Sequence, residues 1–405
     1  MKRRVVVTGM GVVSPLGVGL KSHLDGLAEG RSGITAMRRV DTSDLSIKIG
    51  AEAAFEGDAH FNRSEIALRD RVTQMALVAG AEAVAMAELD LTEAESPRFG
   101  AILGSSMGGM ETCDDNFAAL YREGKPRVHP FTVPRLMANA PASHLSMRFG
   151  LRGPSWVVST ACASSNHAMG QAFQMVRSGA LDGALTGGAE AGLTFGVLKA
   201  WEGLRVMSKE ACRPFCRTRN GMVQGEGAAV LAIETLERAK ARGATILCEL
   251  VGFGASADAG DIVMPSQDGA ARAMAAALDD AGLAGAEVGY VNAHGTATAA
   301  NDKTETAAIR QVFGEAAGQL SVSSTKSMHG HSIGAAGAVE FAAMVLALRD
   351  GVIAPTINHQ EDDPECDLDI TPNTARERVT EAALSNSFAF GGLNAVLAAK
   401  AWRGA

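Results

Sequence analysis

A short apolar run, Trp156-Val157-Val158, ends in a turn of small residues, Ser159-Thr160-Ala161-Cys162-Ala163-Ser164-Ser165. The turn opens onto a stretch with Met169, Phe173 and Val176 at helical spacing, up to Gly179. A buried strand that feeds a helix in this way needs a sheet with helices laid on its face, which restricts the chain to an α/β architecture. The same alternation runs from end to end. Strand-like segments fall at 5–8, 99–104, 183–186, 229–234, 247–253, 288–293, 320–323, 382–387 and 395–400. Helical patterns fall at 64–87, 162–178, 269–281, 302–313 and 334–349.

At 405 residues the chain has room for two domains or one large duplicated fold. An internal echo points to duplication. Val7-Thr8-Gly9-Met10-Gly11 is matched by Leu250-Val251-Gly252-Phe253-Gly254, and each leads on to a strand and a small-residue turn that opens a helix. One turn carries Cys162; the other carries Lys326 and His331. The expected halves are 1–249 and 250–405, with the two turns meeting at a pseudo-twofold centre. Gly9-Met10-Gly11-Val12-Val13-Ser14 also imitates a dinucleotide-binding loop. Ser14 stands where the third glycine belongs, however, and no acidic residue closes a second strand, so a nicotinamide site is not expected.

The net charge of −8 and a pI near 5.7 argue against a nucleic-acid surface. An acidic partner therefore needs a local basic patch. The six cysteines (113, 162, 212, 216, 248 and 366) form no disulfide framework, and Cys212 and Cys216 lack the further ligands of a metal site. The expectation is a reduced, cytosolic protein without a metal. The opening Lys2-Arg3-Arg4-Val5-Val6-Val7 imitates a signal peptide, but Gly9, Gly11, Ser14 and Pro15 break its apolar run, and a buried first strand explains it better. No apolar run is long enough for a membrane span.

Two further segments set histidines beside glycines: Asn292-Ala293-His294-Gly295-Thr296-Ala297-Thr298 and Lys326-Ser327-Met328-His329-Gly330-His331. The first follows an apolar strand, where functional loops usually sit. Cys162 at a helix start is expected to have a lowered thiol pKa, because backbone N–H groups there favour a thiolate. A thiolate attacks a thioester carbonyl to form an acyl-enzyme. Two neutral imidazoles that donate N–H bonds suit the enolate left by a decarboxylation. A cysteine protease would leave the second histidine and the lysine without work.

Thr160-Ala161-Cys162-Ala163-Ser164-Ser165, His294-Gly295-Thr296-Ala297-Thr298 and Lys326-Ser327-Met328-His329-Gly330-His331 resemble the three active-site motifs of β-ketoacyl-acyl-carrier-protein synthases, the type II condensing enzymes. Asn386-Ser387-Phe388-Ala389-Phe390-Gly391-Gly392-Leu393-Asn394 resembles their gating loop, and the similarity runs from Arg3 to the C-terminus. The resemblance implies a thiolase-like duplicated fold, five-layered αβαβα with mixed sheets, in a homodimer. Cys162 is then the nucleophile; His294 and His331 bind the thioester carbonyl and assist decarboxylation; Lys326 orders the histidines, with Glu305 as a partner. The N–H groups of Cys162 and Phe390 form the oxyanion hole, and Phe390 also gates the cysteine. Thr296 and Thr298 hold the phosphopantetheine arm, which arrives on an acyl carrier protein, so no resident cofactor is implied.

Some positions depart from the family. Ala389 and Leu393 stand where relatives usually carry Gly and Thr, and His329, read as an accessory or surface histidine, replaces a common Thr. The segments 197–202 and 300–302 look like those of rhizobial nodulation ketosynthases. Trp201, Met107, Met110 and Thr132 match positions near the acyl pocket. Arg63, Arg69, Arg71, Lys125, Arg127 and Arg205 are candidates for docking the acidic carrier. Two other readings of the chain stay open: a degradative thiolase, for which Cys366 is the nearest second cysteine, and a catalytically silent partner subunit. The acyl chain, of fatty-acid, nodulation or polyene type, is left open by the sequence.

Overall fold

The computed structural model describes residues 2–404. Ten strands build its main sheet: β1 (Val5–Ser14), β2 (Phe99–Gly104), β3 (Ser155–Val158), β4 (Gly183–Glu190), β5 (Gly227–Thr235), β6 (Cys248–Ala257), β7 (Tyr290–Asn292), β8 (Ser321–Ser323), β9 (Ala382–Ala389) and β10 (Leu393–Ala401). A two-residue strand, Gly17–Val18, pairs with the end of β1. The helices that frame the site are α1 (Arg71–Met86), α2 (Met110–Tyr121), α3 (Ala140–Phe149), α4 (Ser164–Ser178), α5 (Phe195–Leu204), α6 (Gln267–Ala281), α7 (Ala299–Phe313) and α8 (Ala336–Val345).

The strand order is β8-β7-β9-β10-β6-β1-β5-β4-β2-β3. From β3 inward the pairings run parallel, parallel, antiparallel, antiparallel to β1. From β8 inward they run in the same sequence to β6. Two copies of one mixed half-sheet thus meet edge to edge where Val5, Val6 and Val7 pair with Leu250, Glu249 and Cys248. Helix α4 touches β2 and β4 of one half and β6 and β10 of the other, and α8 touches β9 and β7 as well as β4 and β5. With α1 and α3 outside one half and α6 and α7 outside the other, the layers are αβαβα, the thiolase-like arrangement.

Glycine explains how the outer layers close. A Cβ on Gly9 or Gly11 would lie 2.1 or 2.0 Å from the Ala83 or Ala79 carbonyl oxygen of α1. One on Gly252 or Gly254 would lie 2.4 or 2.1 Å from the Ala277 or Ala273 carbonyl oxygen of α6. The echo between the two segments is therefore a packing requirement repeated in each half, and the Gly9–Ser14 stretch is strand, with no nucleotide loop.

Several expectations need correction. The helix expected over 64–87 is two helices, Arg63–Ala67 and α1, because Asp70 turns extended and accepts the Val72 N–H at 3.0 Å as a new cap. The helix expected from Cys162 begins at Ser164, after Cys162 has made a bridge to Thr160. The strand leading to it is an edge strand, with Ser155 and Trp156 exposed in the single chain, so it is not buried. The stretch 334–349 is a tight turn at Ile333–Ala335, then α8, then a widened turn at Leu346–Asp350.

Candidate active site

The N-termini of α4 and α8 approach one another at the centre of the layers. Gly188 and Gly334 make the approach possible: a Cβ on Gly188 would lie 2.8 Å from the Ser165 side chain and 3.0 Å from the Gly334 carbonyl oxygen. Cys162 precedes one helix, and His331 precedes the other. His294 follows β7, so all three arrive on turns that the sheet and its central helices hold. Their ligating atoms lie within 4.8 Å of one another, and all three side chains are buried.

These turns are strained. Ala161, Ala297 and the β-branched Ile333 all adopt positive φ, at 47°, 64° and 43°. Such residues cost roughly 1–3 kcal/mol each and persist only where the surroundings over-determine them. Here the surroundings include Glu190, fully buried, whose carboxylate accepts the N–H groups of Ser106 at 2.8 Å and Gly334 at 3.1 Å, together with the Ser105 hydroxyl. One side chain at the end of β4 thereby ties the turn after β2 to the turn before α8.

The electrostatics differ from expectation at Cys162. Burial pushes the Cys162 thiol up to about 12; Lys326 and the N–H groups of Cys162 and Phe390 pull the other way and do not win. The lowered thiol pKa read from the helix start is therefore wrong for the unliganded site, since the desolvation of a fully enclosed sulfur outweighs partial charges from the turn. The same two N–H groups face the sulfur. His294 and His331 are held well below the ordinary imidazole value, first by burial and then by Lys326. Both are thus neutral. Their rings stand edge to face, 5.4 Å between centroids, and neither nitrogen of His331 has a protein partner.

Lys326 is completely buried, and its ammonium donates to Glu340 on α8. Burial pushes the Glu340 carboxyl up, and Lys326 opposes it. Glu305 has a different task from the one expected. It accepts the backbone N–H groups of His294 and Gly295, both at 2.8 Å, and a hydrogen bond from Asn386 at 3.1 Å. It fixes the histidine turn itself. The residues missed were Glu340 and Glu190; the first stood out as a lone acid in the apolar run Ala336–Val345.

A cavity of about 390 Å³ opens onto the three reactive groups. Trp201, Thr296, Thr298, Phe388 and Phe390 line it with them, and the Thr296 and Thr298 hydroxyls lie 2.8 Å apart. Met107, Met110 and Thr132 do not line it. Met107 packs towards Gly192, and Thr132 donates to the His129 carbonyl at 2.6 Å. His329 is buried, not on the surface, hydrogen-bonded to Thr325 and the Gly330 carbonyl. Arg71 is also buried, paired with Glu226 at 2.6 Å, and is no docking residue. Arg69 is mostly covered, its guanidinium over the Phe61 ring. Arg63, Lys125, Arg127 and Arg205 are exposed, and Arg205 stands at the cavity mouth. Cys366 is buried in the second half's core, away from the cavity, so it offers no second cysteine for a thiolase.

Residues 2–239 match the N-terminal domain of β-ketoacyl synthases, and residues 247–360 match the C-terminal domain. Nodulation protein E of Rhizobium leguminosarum bv. trifolii is 46% identical over 398 residues, covering 98% of this chain and 99% of that protein. The 3-oxoacyl-(acyl-carrier-protein) synthase 2 of Staphylococcus aureus (strain COL) is 44% identical over 406 residues, 98% of each. Among solved structures, the ishigamide ketosynthase/chain length factor matches with a TM-score of 0.94 at 37% identity, over 99% of this chain and 100% of that one. With a cysteine and two neutral histidines converging where two like halves meet, the chain belongs to the β-ketoacyl synthase family and is a condensing enzyme.

Proposed function

We propose that the protein extends an acyl chain by decarboxylative Claisen condensation, taking both acyl and malonyl units from an acyl carrier protein. The observation that carries this reading is the convergence of Cys162, His294 and His331 within 4.8 Å at the floor of a largely apolar cavity. In the first step the Cys162 sulfur attacks the acyl thioester carbonyl. Because the resting group is a thiol, its proton leaves as the C–S bond forms, and an imidazole nitrogen is the nearest acceptor. The N–H groups of Cys162 and Phe390 hold the oxyanion, and the carrier's thiol departs with the proton. In the second step the malonyl carboxylate leaves as carbon dioxide while the two neutral imidazoles hold the thioester oxygen. The enolate carbon bonds to the acyl carbonyl carbon, the C–S bond to Cys162 breaks, and the thiolate takes up one proton from water, so each turnover consumes one solvent proton.

Thr296 and Thr298, paired at the cavity wall, suit the polar phosphopantetheine arm, and Arg205 at the mouth suits the acidic carrier. The relative from Staphylococcus aureus is named for a carrier-protein substrate, which agrees with this partner. We further propose a homodimer through β3 and the neighbouring helices, where Phe117, Tyr121, Phe131, Val133, Met147 and Trp156 are exposed together with apolar faces. Met107, Met110 and Thr132 lie on the same side and would then shape the far end of the acyl channel. The proposed halves, 1–249 and 250–405, meet within β6, which begins at Cys248. No helix among the described residues is long and apolar enough to cross a membrane; six free cysteines agree with a reducing cytoplasm.

Intact-mass analysis after incubation with acyl carrier proteins of differing chain length tests the central claim. The expected result is one acyl adduct, lost in Cys162→Ala. No adduct with any donor would support a silent partner subunit instead. Sedimentation of Trp156→Arg tests the dimer: a shift to monomer is expected, and an unchanged mass removes that interface.

A further inference from the structure

Phe390 reaches the site in two ways. Its ring lines the cavity above Cys162, and its backbone N–H acts on the Cys162 sulfur. Whatever fixes Phe390 therefore fixes the mouth and half of the oxyanion hole together. Directly after it, Gly391 and Gly392 take left-handed φ values of 82° and 69°, so the chain pivots there. The Gly391 N–H donates to the Ile262 carbonyl at 2.8 Å, which holds the turn from outside. From inside, the ring of Phe390 rests on Trp201, with centroids 5.9 Å apart and planes inclined by 31°.

Trp201 is a firm support. It sits on α5, whose Glu202 accepts the N–H groups of Ser46 and Ile47 and whose Lys199 donates to the Asp44 carbonyl at 2.7 Å. Lys199 and Glu202 also pair with each other at 3.1 Å. The helix is thus bolted to the 44–47 loop on one side and offers an indole to the gate on the other. On the condensing-enzyme reading of the site, a long acyl chain must displace the Phe390 ring to reach Cys162, whereas an acetyl group needs little room.

We propose that Trp201 is the seat of the Phe390 gate, a positioning residue that sets how readily the mouth opens and so how strongly the enzyme discriminates acyl chains by length. An aromatic pair of this kind biases the closed position by about two- to tenfold. Removing the seat frees long chains to enter while loosening the oxyanion hole that short chains also need. The ratio of long- to short-chain loading should therefore rise.

The experiment measures rates of Cys162 acylation by intact mass, using dodecanoyl- and acetyl-pantetheine thioesters. It compares wild type, Trp201→Leu and Trp201→Phe. A two- to tenfold rise in the dodecanoyl-to-acetyl ratio is expected in Trp201→Leu, with a ratio near wild type in Trp201→Phe. A folding defect would lower both rates together and leave the ratio alone. An unchanged ratio in Trp201→Leu overturns the seat, as does an equal rise in Trp201→Phe. Failure of wild type to load either thioester would instead sink the condensing-enzyme reading, so the two outcomes are separate. A third measurement uses the Trp156→Phe/Trp402→Phe background, where Trp201 is the sole tryptophan. Its emission should shift on dodecanoylation; complete loading without a shift overturns contact between gate and seat.

Discussion

At the scale of single residues, the site depends on keeping two imidazoles neutral beside a buried ammonium. His294 and His331 gain this from burial, and Lys326 reinforces it. An oxyanion developing between them meets donors that need no reorganisation. His294→Ala and His331→Ala should each lower the rate of malonyl decarboxylation by about 10²–10³ while Cys162 still accepts an acyl group. Release of labelled carbon dioxide checks this, and normal decarboxylation in both variants would remove the imidazoles from that role. Cys162, His294 and His331 were readable because each stands in a Gly- or Ala-rich turn after an apolar run. The thiol's ionisation was not readable: a turn in the sequence shows the nearby N–H groups, whereas desolvation depends on residues from both halves closing over the sulfur.

At the scale of elements, acids buried in apolar surroundings hold the reactive turns in place. Glu305 holds the turn after β7, Glu190 ties two turns together, and Glu340 anchors Lys326 from α8. Deleting one member of a fully buried pair leaves the other charge unmatched, at a cost of roughly 3–5 kcal/mol. Glu340→Ala should therefore destabilise the protein by about that amount in urea unfolding, with Glu340→Gln losing less. Equal stability of Glu340→Ala and wild type would show that the pair contributes nothing. In the sequence Glu305 stands out as the acid eleven residues after His294, on the helix that follows it; Glu340 lies fourteen residues beyond Lys326 in a helix that reads as plain core. Helix starts were also hidden where their caps come from afar. The helix Leu20–Glu29 has no capping side chain of its own, and Glu82 of α1 accepts its first N–H at 2.7 Å.

At the scale of the whole molecule, the same enclosure makes stability depend on pH at both ends. Cys162, Cys212, Cys248 and Cys366 are each pushed up to about 12, chiefly by burial. Unfolded thiols ionise near their ordinary value, about 8.5. Between about pH 9 and 12 the unfolded chain holds fewer protons than the folded one, so stability falls as pH rises. On the acid side, burial lowers His23 to about 4 and holds His294, His329 and His331 well below the ordinary value. Their contribution to stability is complete above about pH 6.5 and drains as pH falls towards 4; His23 alone accounts for about 3 kcal/mol. Urea unfolding across pH measures both limbs. Cys248→Ala should flatten the alkaline limb, and an identical limb would refute the assignment.

The duplication was visible in outline from Gly9-Met10-Gly11 and Gly252-Phe253-Gly254, yet the reason for it lay in three dimensions. At those four glycines the outer helices lie against the sheet with less clearance than one methyl group. A wall set that close has no slack to shear or breathe, and the two walls are alike. The protein is in effect a rigid vice with matched jaws. Val263, Met264 and Phe390 line the cavity instead, so substitutions there can retune what enters while the four glycines tolerate almost no change.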